Sequence, residues 1–552
     1  MGLTEHASDR TPIPEHPDGS GKASANAAMA EQKHEAAVRL HKAGRLDEAL
    51  ALYEQALEAN PDAPEILANL GTLLRLIGRT GDAVRHVERA LAIRPDFSPA
   101  LATMSTILVG AADAELGLTY AQRAASNAPS HPGVVENLLM TALYAPHLPP
   151  RGVAALHFAW GNVQAALAAA PSCFPNRRDS DKKLRIGYVS PDFRDHAVGQ
   201  ALAPVFAQHD RDRFHIILYG EVSRPDHITD AFVRCADGWR STVGLSDEDA
   251  LSSIKADGID ILVDLAGHTD GNRLGIFARR AAPIQVTWHG YPATTGLKSM
   301  DYRIVDEITD PPGEGDELAS EKLIRLADGF IGARPHIALP QVLPPPTFAR
   351  RRVTFGCFNN FQKINRAVIS VWASLLRSTP GSQLLLKSSR IVDDWTFRRY
   401  AEIFRSEGID ADRLIFMPWS ATPIEHLSSY SQMDIALDPF PYNGTSTTME
   451  ALMMGVPVVS LLGASHVSRV GASILTHIGH PEWIARTTDS YVAIAAELAQ
   501  DKSGLARGRS TLRDRYLGSR FADPMRLARA VETAYRDMWR RFVQDDHPRG
   551  AD

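Results

Sequence analysis

DPFPYNGTSTTMEALMMGVPVVS, residues 438–460, reads as the end of a buried strand, a loop, a helix and the start of a second strand. The strand closes at Asp438, and Pro439 and Pro441 carry the loop. The run Gly444-Thr445-Ser446-Thr447-Thr448 opens the helix, and Gly455-Val456-Pro457 ends it. Backbone N–H groups at a helix N-terminus, backed by the helix dipole and by four successive hydroxyls, make an anion site. N-capping by one Ser or Thr is the plainer use of such residues, but a single cap does not call for four hydroxyls. Glu450, one turn further in, is placed to hold a sugar hydroxyl.

Working outward, the same strand–helix alternation recurs. LRIGYVS (184–190), FHIILYG (214–220), IDILVDLAG (259–267), IQVTWHG (284–290), YRIVD (302–306) and KLIRL (322–326) form one series. VTFGCFNN (353–360), QLLLKS (383–388), LIFMPW (414–419), DIALDPFPY (434–442) and VPVVSLLG (456–463) form another. Strands separated by helices predict parallel sheets covered on both faces. The expected bodies are therefore two Rossmann-like halves, 183–339 and 353–523, joined by the Pro-rich linker 340–352 and followed by a long helix over 524–545. Ligands of such sheets bind at the C-terminal ends of the strands, here in the cleft between the halves.

Ahead of residue 183 the pattern is helical. Pro61, Pro95 and Pro129 are spaced by 34 residues, as are Ala56, Ala90 and Ala124, and also Gly44 and Gly78. That period is the tetratricopeptide repeat's, a helix–turn–helix unit. Each proline ends a second helix, and the alanines mark close helix–helix approach. Repeat-like helices are expected over 31–172, degenerating after the third unit, where the proline due at 163 is missing. Residues 1–30, rich in Pro, Gly, Ser and charge, read as a disordered tail.

Composition narrows the function. The 552 residues are 44 % hydrophobic and 22 % charged, an ordinary globular balance, and a formal net charge of −6 gives no electrostatic reason to expect nucleic acid. Three cysteines without a CxxC pair exclude a disulfide framework and a cysteine-based zinc site, and fit a reducing cytoplasm. No secretory h-region, myristoylation pattern or membrane-length apolar run is present. HExxH, GxSxG and GxxxxGK[ST] are all missing, which argues against zinc hydrolase, serine hydrolase and P-loop chemistry. No metal site is expected.

Two further segments sit at the functional edges of the sheets. In GCFNNFQKINRAV (356–368), Asn360 and Lys363 can face the cleft, where a lysine can neutralise a departing diphosphate. In SPDFRDHAVGQAL (190–202), His196 occupies a βα loop and can accept or relay a proton near neutral pH. His268, His289 and His426 are the remaining cleft histidines.

Together with APIQVTWHGYPATTG and SMDY (282–302), FNNFQK and NGTSTTMEALMMGVPVV, and following the repeats, these segments resemble the O-linked N-acetylglucosamine transferases of protein Ser and Thr. The resemblance covers about residues 31–543, and the short repeat array suggests a bacterial member. It implies the two-domain GT-B fold and an inverting, metal-independent transfer from UDP-N-acetylglucosamine to a protein acceptor lying along the repeat groove. It also implies roles. His196 matches the active-site histidine, Lys363 the lysine on the donor diphosphate, and Asn360 a donor-binding glutamine. Ala421, Thr422 and Pro423 match the segment whose backbone reads uracil, and His426 the histidine packing near the nucleotide. Thr445, Ser446 and Thr447 stand for a phosphate-binding His-Thr-Thr, and Glu450 for a ribose-holding aspartate. His196 either takes the acceptor proton or orients the acceptor. A sister branch of the same architecture transfers fucose from GDP-fucose, and Thr445 and Asn360 are departures in the donor site that leave it open. A silent repeat adaptor, or a transferase acting on a glycan or small molecule, is a third class of reading.

Overall fold

The computed structural model describes residues 19–167, 174–332, 334, 337–388 and 393–545. The chain divides into two compact units, one ending at Thr103 and the other beginning at Met104. Eight helices come first: α1 (Gly19–Lys42), α2 (Leu46–Ala59), α3 (Pro64–Leu76), α4 (Thr80–Ile93), α5 (Ser98–Gly110), α6 (Ala114–Asn127), α7 (Pro132–Ala142) and α8 (Pro150–Leu167). The unit boundary falls inside α5, so the repeat-like region is not one body. Of the expected disordered tail, residues 1–18 lie outside the described residues, whereas 19–30 belong to α1. Their alanines (AxAxAAxA from Ala23 on) favour helix more than the flanking Pro and Gly oppose it.

The repeat shows in the helix ends. Asn60, Arg94 and Ala128, each just before a proline, leave the helical region and donate N–H to the carbonyls of Ala56, Ala90 and Ala124. A residue preceding proline is pushed out of helical geometry, so each proline stops its helix one residue early. The three alanines are fully buried. Gly44 and Gly78 adopt φ of 69° and 80°, and 34 residues on Ala112 takes φ 63°. A side chain there is strained, yet Ala112 is buried against the core of the C-terminal half.

The first half carries β1 (Leu184–Ser190), β2 (Phe214–Gly220), β3 (Gly238–Ser241), β4 (Ile261–Asp264), β5 (Ile284–Trp288), β6 (Tyr302–Val305) and β7 (Lys322–Arg325). They form one parallel sheet of order β3-β2-β1-β4-β5-β6-β7. Along β1 and β2, Ile186, Tyr188, Ile216 and Leu218 enter one core while Val189, Ile217 and Tyr219 enter another on the opposite face. Both faces are thus covered, as continuous apolar strands require. The helix α9 (Ala197–Phe206) follows β1. Edge strand β3, Gly-Trp-Arg-Ser with two exposed residues, has no apolar alternation to announce it.

The second half carries β8 (Thr354–Cys357), β9 (Gln383–Lys387), β10 (Leu414–Met417), β11 (Ile435–Leu437), β12 (Val458–Leu461) and β13 (Ile484–Ala485). Its parallel order is β10-β9-β8-β11-β12-β13. In each sheet the order reverses beside the first strand, between β1 and β4 and between β8 and β11. Those are the switch points where α/β sheets open a crevice for ligands.

Polar contacts join the halves directly. His466 Nδ1 lies 2.5 Å from Asp310 Oδ2, Ser473 Oγ donates to Asp306 Oδ2 at 2.6 Å, and Arg469 Nε donates to the Ile308 carbonyl at 2.6 Å. The final helix, Pro524–Asp545, returns to the first half. Its Trp539 is fully buried, donates Nε1–H to the Asp179 carbonyl at 2.9 Å and lies under the Lys182 ammonium at 4.5 Å. Trp539→Ala is expected to cost about 3–5 kcal/mol, read as a lowered urea midpoint. An unchanged midpoint would contradict this anchoring.

Candidate active site

The second switch point brings two loops together. Phe358 to Lys363 leave β8, and Asp438 to Thr447 leave β11. A short 3-10 turn, Phe361–Lys363, directs the half-buried Lys363 inward. Its ammonium donates to the Asn443 carbonyl at 2.9 Å and to Asn359 Oδ1 at 3.3 Å, and sits 4.3 Å from the Tyr442 ring centroid. Burial pushes the Lys363 pKa down to about 8, against the opposing pull of Asp438. Asp438 is 1 % exposed and accepts from the Gly444 amide and the Ser460 hydroxyl, both at 2.6 Å. Burial pushes its carboxyl up to about 7, with Lys363 acting the other way.

Thr445 precedes the helix Ser446–Met453 and gives it no side-chain cap. An uncapped N-terminus leaves first-turn N–H groups for an anion. The four hydroxyls do not act alike. Thr447 Oγ1 donates to Asn359 Oδ1 at 2.9 Å and Thr448 is buried, so Thr445 and Ser446 remain at the mouth. Gly444 is required by crowding: a Cβ there would lie 2.6 Å from Thr447 Oγ1 and 2.7 Å from Thr448 Oγ1.

Beside this cluster a second one forms. Lys387, at the end of β9, donates to Ser420 Oγ at 2.7 Å and to His426 Nδ1 at 2.9 Å. An ammonium can only donate, so the His426 proton is on Nε2, which donates to Glu450 Oε2 at 3.0 Å. Tyr430 adds its hydroxyl to the same oxygen at 2.8 Å, and also lies 3.2 Å from the Thr447 carbonyl. Burial lowers the Lys387 pKa, opposed by Glu450 and Glu425. His426 stands on the short helix Pro423–Ser429, whose N-cap Thr422 forms a capping box with Glu425. The amides of Ala421 and Thr422 both donate to Glu425 Oε2, at 3.0 and 3.3 Å.

His196 belongs to the first half, as the N-cap of α9. Its Nδ1 lies 3.3 Å from both the Val198 amide and Asp192 Oδ1. Burial lowers its pKa, opposed by Asp192, which keeps the imidazole neutral near pH 7. Burial also raises the Asp192 carboxyl. His289 follows β5 at φ 73°, and its two buried ring nitrogens meet no partner among the described residues. Its pKa is pushed down to about 4 by burial, with the nearby His196 adding to the shift. His268 is a core residue, edge-on to Trp160 at 4.5 Å with Nε2 2.8 Å from the Thr295 carbonyl.

Lys363, Thr447 and Glu450 are therefore joined, through Asn359 and Tyr430, into one network with His426. Among the described residues no hydrogen bond or ion pair links His196 to it. Asn360, the expected donor-site amide, caps the 3-10 turn through the Gln362 amide at 3.2 Å. Its neighbour Asn359 is the amide that meets Lys363 and Thr447. Sequence reading also passed over Lys387, Tyr430, Tyr442 and Asn443. For Lys387 a signal existed, a lysine closing the apolar run Gln-Leu-Leu-Leu. For the others none did.

Two Rossmann-like halves following a helical repeat region make the GT-B architecture, and the chain belongs to glycosyl transferase family 41, which it matches over residues 151–341 and 347–528. Residues 40–108 match the tetratricopeptide repeat. It is 37 % identical over 396 residues to the probable UDP-N-acetylglucosamine–peptide N-acetylglucosaminyltransferase SPINDLY of Arabidopsis thaliana, covering 71 % of this chain and 43 % of that protein. The corresponding protein SEC of the same plant is 30 % identical over 390 residues, 68 % of this chain and 39 % of SEC. The match thus spans less than half the length of these curated relatives. A solved structure of the Thermobaculum terrenum O-GlcNAc transferase, a lysine-to-methionine variant, superposes with a TM-score of 0.87 at 32 % identity, covering 96 % of this chain and all of that one.

Asp438→Ala strands two buried donors and removes the charge facing Lys363. It is expected to destabilise by about 3–5 kcal/mol, and Asp438→Asn by clearly less, both measured by urea denaturation. Equal losses would show that the stranded donors contribute nothing and that the charge carries the whole effect.

Proposed function

We propose that this chain is an inverting, metal-independent transferase that moves N-acetylglucosamine from UDP-N-acetylglucosamine to Ser or Thr hydroxyls of proteins. The observation that carries the reading is the Lys363 ammonium beside the uncapped Ser446–Met453 helix, two sources of positive potential converging where a diphosphate would leave. The names of the plant relatives, as UDP-N-acetylglucosamine–peptide transferases, support the donor and the acceptor class, and that of the Thermobaculum O-GlcNAc transferase supports the sugar.

In the proposed reaction the acceptor oxygen attacks the anomeric carbon from the face opposite the diphosphate. The carbon–oxygen bond to the β-phosphate breaks, UDP departs with its electron pair, and the acceptor proton is released. Lys363 and the helix amides stabilise the growing negative charge, the part a metal ion plays elsewhere. Neutral His196 is able to take the acceptor proton or to orient the acceptor. Glu450 keeps Oε1 for a ribose hydroxyl while Oε2 is held by His426 and Tyr430. With the Ala421 and Thr422 amides already engaged and no N–H on Pro423, this segment would read the base through carbonyl oxygens, which accept from a base N–H. Asn360 would act indirectly, by shaping the turn that carries Lys363.

We assign the protein acceptor to the cleft side of the later helices. Glu136 on α7 accepts from Asn272 Nδ2 at 2.7 Å, which places α7 against the loop after β4. The same reading takes the chain as a bacterial, cytoplasmic member. It is supported by the superposition on the Thermobaculum protein over 96 % of this chain and by the scarcity of cysteine.

Purified protein is expected to bind UDP over GDP by calorimetry and to release UDP when given UDP-N-acetylglucosamine and peptide. Transfer from GDP-fucose alone would overturn the donor assignment. Lys363→Met should lower turnover by about two to three orders of magnitude with the fold intact, and near-normal turnover would remove Lys363 from the mechanism. UDP affinity should also fall between about pH 7 and about pH 9. The depressed Lys363 pKa means the ammonium is present below about 8 and lost above it, at up to about tenfold per pH unit. A flat profile would contradict this.

A further inference from the structure

Tyr144 lies in the connection between α7 and α8, part of the helical region that precedes the catalytic halves. It is 8 % exposed, and its ring stacks on Tyr442 with centroids 5.0 Å apart and planes inclined by 17°. Tyr442 is the ring on which the Lys363 ammonium rests at 4.3 Å. Tyr442 also packs beside Val109 and Ala114, and beside Leu143, Tyr291 and Val467. One aromatic ring therefore meets a helical-region side chain and the lysine of the proposed diphosphate site.

We propose that Tyr144 is a positioning residue for Lys363, acting through the Tyr442 ring, so that the last helices of the repeat-like region complete the donor site. The two oxygens that accept from Lys363 fix the ammonium's direction, but a hydrogen bond to a backbone carbonyl leaves a four-carbon side chain free to swing on its other side. The π face of Tyr442 closes that side, and attracts the cation in doing so. A tyrosine ring on a loop keeps one orientation only when its surroundings hold it, and among the residues around Tyr442 it is Tyr144 that stacks nearly parallel to the ring. The Tyr442 phenol stays neutral in this arrangement, since burial pushes its pKa up to about 12, and the ring adds no negative charge to an anion site. The helical region thereby acquires a part in donor binding separate from any contact with acceptor.

The inference rests on the assignment of Lys363 to a nucleotide diphosphate. Its test is a double-mutant cycle on the full chain, with UDP binding measured by calorimetry for wild type, Tyr144→Leu, Tyr144→Phe, Lys363→Met and the Tyr144→Leu/Lys363→Met double variant. Tyr144→Leu is expected to weaken UDP binding about fivefold to tenfold, and Tyr144→Phe, which keeps the ring, to restore it to within about twofold. In the double variant the loss should be no larger than in Lys363→Met alone, because a residue acting through Lys363 has nothing left to position. Additive losses, or a folded Tyr144→Leu that binds like wild type, would overturn the proposal. Should Tyr144→Leu not fold, Tyr144→Met takes its place in the same cycle. If the wild type binds GDP and not UDP, the donor assignment fails while the cycle, run with GDP, still decides the role of Tyr144. No nucleotide binding at all would end both.

Discussion

Where the strands β8 and β11 part, the half-buried Lys363 ammonium lies in the field of the buried Asp438 carboxyl, and the site is built around the two. Asp438 directly follows β11 and Lys363 follows β8 through the turn Phe361–Lys363, so the neighbouring strands and that turn together bring them to one switch point. Each is costly by itself in an interior. Burial drives the lysine down to about 8 and the aspartate up to about 7, so the pair is poised near neutrality. A dianion entering at the Ser446–Met453 helix would tip it toward the charged lysine. The surrounding hydrogen bonds follow from this: Asp438 needs the Gly444 amide and Ser460, and Lys363 needs Asn359 and Asn443.

Rigidity around the pair comes from three directions. Below, the two sheets and the returning final helix share one continuous core. Between the halves, Asp306, Ile308 and Asp310 take hydrogen bonds from Ser473, Arg469 and His466. On the helical side, Arg366 and Arg399 pair with Asp113, and the Tyr400 hydroxyl meets the Gly110 carbonyl. The turn between α5 and α6 is thereby fixed to the C-terminal half, which accounts for a compact unit that begins within α5.

Much of this was legible from residues alone, and the parts that were not share physical causes. Strands β1 and β2 are continuous apolar runs on a sheet buried on both faces, so their ends could be read to the residue. Strands β3 and β13 are short and sit at sheet edges, where no apolar pattern is demanded. At the site, sequence locates a loop but not the rotation of each residue within it. Asn359 and Asn360 are adjacent amides, and only backbone geometry decides that one meets Lys363 and the other caps a turn. His268 looked like a cleft residue because it follows a strand; its ring instead packs against Trp160, an aromatic contact across 108 positions that no local pattern encodes. Tyr442 and Tyr144 meet across a far longer gap.

The central claim is that the crevice between β8 and β11 is a diphosphate site. A crystal structure of the protein with UDP tests it most directly. The account predicts the diphosphate at the N-terminus of the Ser446–Met453 helix, within hydrogen-bond distance of Lys363 Nζ and the first-turn amides, with the ribose at Glu450. Nucleotide density elsewhere, for instance in the 290 Å³ cavity lined by Pro146, Pro292, Pro441 and His466, with Lys363 still bound to Asn443, would contradict it.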